Sequence, residues 1–279
     1  MIKLVTDTTA YLPEPYVLEH DIRVVPLNVH FGVEAFKETV EISNREFYAR
    51  LKAAPVLPTT SQPSAGDFYG AFKPLTDAGN EILVLPISSK LSGTYASAMA
   101  ARSMLPAATI QVVDTLSAGL ALELMIQAAT KAIGGGATLS QLTGQMEAMK
   151  GEIYTLFVVD TLEYLAKGGR IGSAKAFLGT MLNVKPILTL KEGAIEAYEQ
   201  VRTKRKAVAR MLDLIVAHAG SHGPEARITM THALALEEAE AARRELVARL
   251  GCEEPSLSEL GPVIGAHTGP GVVSAAIYV

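Results

Sequence analysis

Tryptophan is absent from the 279 residues, aromatic residues of all kinds make up only 6%, and there is a single cysteine, Cys252. Any cavity built by such a chain is walled mainly by Leu, Ile, Val, Met and Ala, which suit a flexible apolar body better than a flat stacking ring. One cysteine closes no internal disulfide and has no metal-ligand cluster beside it, which fits a reducing compartment. A surplus of positive charge is also missing. Twenty-five basic against 29 acidic residues give a formal charge of −4, spread along the chain, so there is no footprint for nucleic acid. Although 49% of residues are apolar and mean hydropathy is +0.24, no run approaches the roughly 18 uncharged apolar residues of a membrane span. No integral membrane association is expected. Met1-Ile2-Lys3-Leu4-Val5 enters strand-like sequence directly, without the charged start, apolar run and cleavage site of a secretory signal. The expected location is cytoplasmic.

Catalytic signatures are equally scarce. There is no G-x-S-x-G elbow, no P-loop, no H-E-x-x-H and no G-x-G-x-x-G after a strand. The histidines His20, His30, His218, His222, His232 and His267 show no convincing metal spacing. His218 and His222 stand four apart, but Gly220 and Gly223-Pro224 mark a fraying helix end there. No metal and no cofactor are expected.

What is present is an alternation of strand-like and helical runs in a chain longer than the usual single domain, so two domains sharing a cleft are expected. Strands are predicted over 2–6, 82–86 and 109–114, with helices from about 92 and over 117–133. This is the pattern of an α/β, mostly parallel, doubly wound sheet. Between the first two core strands an excursion over about 22–56 reads as a hairpin, with alternation over 24–31, plus a helix over 44–53. Gly134-Gly135-Gly136 breaks the composition, a polar helix follows over 139–150, and a new strand begins near 153. The division is drawn near residue 150, giving domains 1–150 and 151–279. The second half offers strands over 184–190, 195–201, 227–231 and 275–279 and helices over 204–219 and 237–250, a mixed α/β sheet. In the last helix Ala239, Ala242, Leu246 and Leu250 recur at helical spacing, and Gly251 is a natural C-cap.

Three small-residue segments carry the candidate chemistry. In Thr59-Thr60-Ser61-Gln62-Pro63-Ser64, Ser64 is an ordinary N-cap for the helix that follows; Thr60 and Ser61 are not needed for capping. Ile87-Ser88-Ser89-Lys90-Leu91-Ser92-Gly93-Thr94-Tyr95 follows a strand and opens a helix, the place where open α/β sheets commonly bind ligands. Free N–H groups, the helix dipole and the Ser92 hydroxyl make an anion site there without formal positive charge. Gly261-Pro262-Val263-Ile264-Gly265-Ala266-His267-Thr268-Gly269-Pro270-Gly271 reads as a rigid, turn-rich loop. Its His267 suits either a structural role or a ligand contact. A protein that holds a carboxylate, an enzyme acting on a small phosphorylated or carboxylated metabolite, and a regulatory interaction protein all remain open at this point.

At these segments the chain resembles the DegV family, the fatty-acid-binding subunits of bacterial fatty-acid kinase. The likeness runs through Val5-Thr6-Asp7-Thr8-Thr9-Ala10, the Thr59–Ser64 and Ile87–Tyr95 stretches, Val113-Asp114-Thr115 and Asp160-Thr161-Leu162-Glu163-Tyr164-Leu165. It continues through Gly168-Gly169-Arg170-Ile171, Leu182-Asn183-Val184-Lys185-Pro186-Ile187, Val201-Arg202-Thr203 and Ile264–Gly271. The resemblance implies a two-domain α/β fold around a buried long-chain fatty acid, palmitate-like or oleate-like. Its carboxylate would be held by Thr60, Ser92 and His267, with help around Ser61, Gly93 and Thr268. It also implies a soluble ATP-dependent fatty-acid kinase as partner and no catalytic residue in the carrier itself. Arg170 and Arg202 lie in matching motifs and are candidates for docking the kinase; a solvated arginine or internal salt bridge is the plainer reading. Asp7 and Asp114, at strand ends, are expected to cap loops. Two departures bear on the cavity: Glu38-Thr39 stands where the family usually has Asp-Gly, and Leu120-Ala121 replaces a commoner glycine-containing turn.

Overall fold

The computed structural model describes the backbone of all 279 residues and the side chains of residues 1–178 and 184–279; the Leu182-Asn183 start of one family-like motif lies outside the described side chains. The chain opens with β1 (Ile2–Asp7), helix α1 (Glu14–Glu19) and β2 (Arg23–Val25). The hairpin β3 (Asn28–Phe31) and β4 (Glu34–Lys37) follows, then α2 (Asn44–Ala53) and β5 (Thr59–Ser61). Next come α3 (Ala65–Asp77), β6 (Glu81–Leu85), α4 (Thr94–Ser103), β7 (Ile110–Val112), α5 (Leu120–Gly134) and α6 (Leu139–Met149). The second half contains β8 (Tyr154–Val158), α7 (Glu163–Lys167), the hairpin β9 (Lys185–Lys191) and β10 (Ala194–Val201), and α8 (Lys204–Ala219). It ends with β11 (Arg227–His232), α9 (Leu236–Leu250), β12 (Ser256–Glu259), α10 (Pro262–Thr268) and β13 (Val273–Tyr278).

The first sheet is parallel, in the order β2-β1-β6-β7. Side chains alternate across a strand, so Leu83 and Leu85 of β6 pack with α5 and α6 residues such as Leu122, Met125 and Met146. Ile82 and Val84 face the other way, onto Phe68 and Phe72 of α3 and Ala98 of α4. Both faces are covered, which is why this strand reads as an unbroken apolar run. The second sheet is mixed, in the order β10-β9-β8-β13-β11-β12, with β11 and β12 parallel and the other neighbours antiparallel. One face buries Leu156, Ile187, Met230 and Ile277 against Met211 and Ile215 of α8 and Leu246 of α9. The opposite face turns inward, where Phe157 and Leu188 join Val29, Phe47, Tyr48 and Ala266 in one core. No helix among the described residues is long and apolar enough to cross a membrane.

Three expectations need correcting. The stretch 24–31 is not one hairpin arm: Pro26 splits it, Val24 and Val25 pair with β1 as an edge of the parallel sheet, and the hairpin is β3–β4. Proline has no N–H to give a ladder, which explains the break. The excursion also gains a third strand, because β5 pairs with β3, with Thr60 opposite Val29. Finally, the segment read as a turn-rich loop contains helix α10. Its N-cap is Gly261, Pro262 sits at the first helical position, and Gly269 closes it at φ 72°. Proline at the start and glycine past the end are helix boundaries as well as turn residues, which is why the sequence of this segment alone resembles a loop.

Candidate functional site

A cavity of about 900 Å³, counting the space at its mouth, lies between the two sheets. Leu27, Ile87 and Leu91 from the first half and Phe157, Leu190 and Val272 from the second supply apolar wall. Thr60, Ser61, Ser92, Arg170, His267 and Thr268 line the same cavity. The polar residues alone come from four separate stretches of sequence brought to one space.

Each polar residue is placed by its element. Thr60 is the middle residue of β5, and its Oγ1 lies 2.8 Å from Nε2 of His267, near the end of α10. His267 packs against Gly168: a Cβ there would collide with Nδ1 of the ring. That Nδ1 is buried and has no hydrogen-bond partner. If Nε2 carries the ring proton and donates it to Thr60 Oγ1, the Thr60 hydroxyl proton is free for a ligand oxygen. Burial first, and the Arg170 charge second, hold the imidazole down to about 4, so His267 is neutral at physiological pH.

Ser92 precedes α4, whose N-cap is Gly93 with no side-chain cap. The Ser92 hydroxyl lies 2.8 Å from Thr94 Oγ1 and accepts a long hydrogen bond from the Thr94 N–H at 3.4 Å. The first turn of α4 therefore keeps unsatisfied N–H groups near Ser92. Gly93 itself does not line the cavity; it makes room for Gln62, whose Nε2 would stand 2.9 Å from a Cβ at that position. Gln62 does line the cavity and was missed from the sequence, although it is the only amide within the hydroxyl-rich Thr59–Ser64 run.

Two expected contacts have other hydrogen-bond partners. Ser61 Oγ lies 2.9 Å from His30 Nε2 and accepts from Asn28 Nδ2 at 3.3 Å, tying β5 to β3. Thr268 Oγ1 donates to the Ile264 carbonyl one turn back, at 3.0 Å. Arg170 lies at the cavity mouth, donating from Nε to the Leu91 carbonyl at 3.1 Å and from Nη1 to the Gly168 carbonyl at 2.8 Å. Arg202, exposed after β10, takes no part in the cavity. Asp7 and Asp114 cap loops as expected: Asp7 accepts from the N–H groups of Thr9 and Ile87, and Asp114 from those of Ser89 and Leu116. Of the two departures, Leu120 lines the cavity and Ala121 is buried beside Leu124 and Ala276. Among the described residues no cluster of His, Cys, Asp or Glu is arranged to hold a metal ion.

Residues 1–279 match the family model described as an uncharacterised protein of the DegV family. The chain belongs to the DegV family. Protein DegV of Bacillus subtilis is 36% identical over 273 residues, covering 98% of this chain and 97% of that one. Among solved structures, a DegV family protein from Thermus thermophilus, described for its fatty acid binding, is similar at 37% identity and TM-score 0.94, with 99% of each chain covered. A stearic acid-binding protein from Eubacterium ventriosum is similar at 27% identity and TM-score 0.94, covering 100% of this chain and 98% of that one. The α/β architecture of this DegV chain, a parallel sheet followed by a mixed one, is therefore the family's fold.

Proposed function

We propose that this DegV protein binds one long-chain fatty acid between two halves divided near residue 150 and presents its carboxylate to a soluble ATP-dependent fatty-acid kinase. The observation that supports the reading is a mostly apolar cavity whose lining includes Thr60, Ser92 and His267, with Thr60 Oγ1 2.8 Å from His267 Nε2. Related proteins of the same fold are described as binding fatty acids, stearic acid among them. The tail dominates affinity: about 14 methylenes at roughly 0.8 kcal/mol each contribute on the order of 11 kcal/mol before association costs. A buried carboxylate is costly unless hydrogen-bonded. Thr60, Ser92 and the N–H groups opening α4 are neutral donors, so they satisfy it without a tight ion pair and leave it nucleophilic.

In the partner reaction a carboxylate oxygen forms a bond to the terminal phosphorus of ATP as the bond to ADP breaks, giving an acyl phosphate. This chain supplies binding, orientation and exclusion of water from the mixed anhydride; it contributes no catalytic residue. Arg170, at the mouth, and Arg202, exposed after β10, are the cations on which the kinase docks. The test is a binding measurement with delipidated protein: palmitate or oleate should raise the unfolding midpoint and bind at one per chain. The open turn at α4 also suits phosphate, so a greater stabilisation by small phosphate esters than by long-chain acids would favour an enzyme of phosphorylated metabolites instead.

A further inference from the structure

The inner face of the second sheet is not uniformly apolar where it floors the cavity. Phe157 and Leu190 line it, but so do Thr155, Thr231 and Ser274, from the adjacent strands β8, β11 and β13. Register explains the grouping: Ser274 stands opposite both Phe157 and Thr231, and Thr155 is opposite Ala276. All three hydroxyl residues are buried, with exposures of 4%, 0% and 2% respectively.

Their hydroxyls are not equivalent. Ser274 Oγ donates to the Thr231 carbonyl at 3.2 Å, which leaves Thr231 Oγ1 to donate to Ser274 Oγ at 2.5 Å. That pair is closed. Thr155 offers its carbonyl to Thr189 Oγ1 at 2.8 Å, while its own hydroxyl makes no hydrogen bond among the described residues. Valine has the same shape but offers no hydrogen bond to what fills the cavity. A threonine here has its partner elsewhere, and the side chain lines the ligand space.

Position says which part of a ligand it meets. Val273, where β13 begins just after α10 and the turn that closes it, is opposite Val158 at the end of β8. Thr155 lies three residues back along β8, about 10 Å from that polar end at the rise of a strand. An acyl chain with its carboxylate at Thr60, Ser92 and His267 carries its middle carbons past Thr155.

Resting on the fatty-acid reading above, we propose that Thr155 recognises an oxygen substituent, a hydroxyl or oxo group, at mid-chain, so that the preferred ligand class is an oxygenated long-chain fatty acid. The partner hydrogen bond satisfies Thr155 and a chain oxygen together, whereas a plain saturated chain leaves the hydroxyl unpaired.

The experiment is a competition, on delipidated full-length protein, between stearate and a stearate hydroxylated at mid-chain. Wild type should favour the hydroxy acid by about tenfold, one good hydrogen bond. Thr155→Val should bring the two acids within about twofold, and Thr155→Ser, which keeps the hydroxyl, should retain the preference. Equal binding of the two acids by wild type, or a preference that survives Thr155→Val, overturns the assignment while leaving the fatty-acid reading intact. Failure of both acids to bind wild type overturns that reading and this one together.

Discussion

Glu38 and Val263 lie 225 residues apart in sequence, and the Glu38 carboxylate accepts a hydrogen bond from the Val263 N–H at 2.8 Å. The same oxygen accepts from Tyr11 Oη at 3.2 Å, and Tyr11 Oη accepts from the Ile264 N–H at 3.1 Å. The other carboxylate oxygen accepts from Thr8 Oγ1. The free amides that open α10 are thus satisfied by side chains from the first half of the chain. Because α10 carries His267 at its other end, Glu38 helps fix the polar end of the cavity from a distance. Glu38→Ala strands several buried donors and is expected to lower unfolding stability by about 3 kcal/mol in urea titration. A loss below about 0.5 kcal/mol would mean that α10 is held by packing alone.

The same residue gives stability a pH dependence. Burial pushes Glu38 up to about 7 from an ordinary 4.5, against the lowering hydrogen bonds from Thr8, Val263 and Tyr11. An acid whose folded value is raised contributes stability that is complete below its unfolded value and lost as pH rises through the folded one. Glu123, also raised to about 7 by burial, acts in the same sense. His267 acts oppositely: held down to about 4 in the fold, its contribution is lost as pH falls from the ordinary value of 6.5 through that range. Subtracting the stability profile of Glu38→Gln from that of wild type isolates one group. The difference should decline by about 3 kcal/mol as pH rises from roughly 4.5 to above 7. A flat difference would show that Glu38 titrates normally.

At the head-group end, Ser92→Ala and Thr60→Val should each weaken fatty-acid binding by about tenfold, the worth of one hydrogen bond to a charged group. The unfolding midpoint of Ser92→Ala should stay close to wild type, since Ser92 is not the N-cap of α4, whereas Thr60→Val removes the partner of His267 Nε2 and should cost about 1–3 kcal/mol. An unchanged affinity in both variants would place the carboxylate elsewhere.

Arg170→Ala and Arg202→Ala should leave lipid content at one per chain and slow phosphorylation by the partner kinase about tenfold, as loss of a buried interface arginine does. Arg170 has more at stake because it also bridges to the Leu91 carbonyl. Loss of bound lipid from its variant would move Arg170 from docking to ligand retention.

How much of this was legible in the sequence depends on what each residue signals locally. β6 carries a continuous apolar run over 82–85, and α9 shows its buried Ala239, Ala242, Leu246 and Leu250 at helical spacing; such elements announce themselves. β12 does not: Ser256–Glu259 is four half-buried residues, held as an edge by pairing with β11. Helix α10 was hidden by the glycines and prolines that bound it. Thr39, the departure from a usual Asp-Gly pair, has a left-handed backbone with φ 62°, the conformation that glycine adopts without strain. The meeting of Thr60 and His267 spans 207 residues; no periodicity encodes it, and it came from the family resemblance. The unpaired hydroxyl of Thr155 was invisible, because a threonine in a strand is unremarkable until its register and neighbours are known.

The most direct measurement is mass spectrometry of the organic extract from purified protein after denaturation. A long-chain fatty acid, plain or oxygenated, is expected at close to one molecule per chain. An extract without one, from protein that also fails to take up palmitate or oleate after delipidation, would contradict the account.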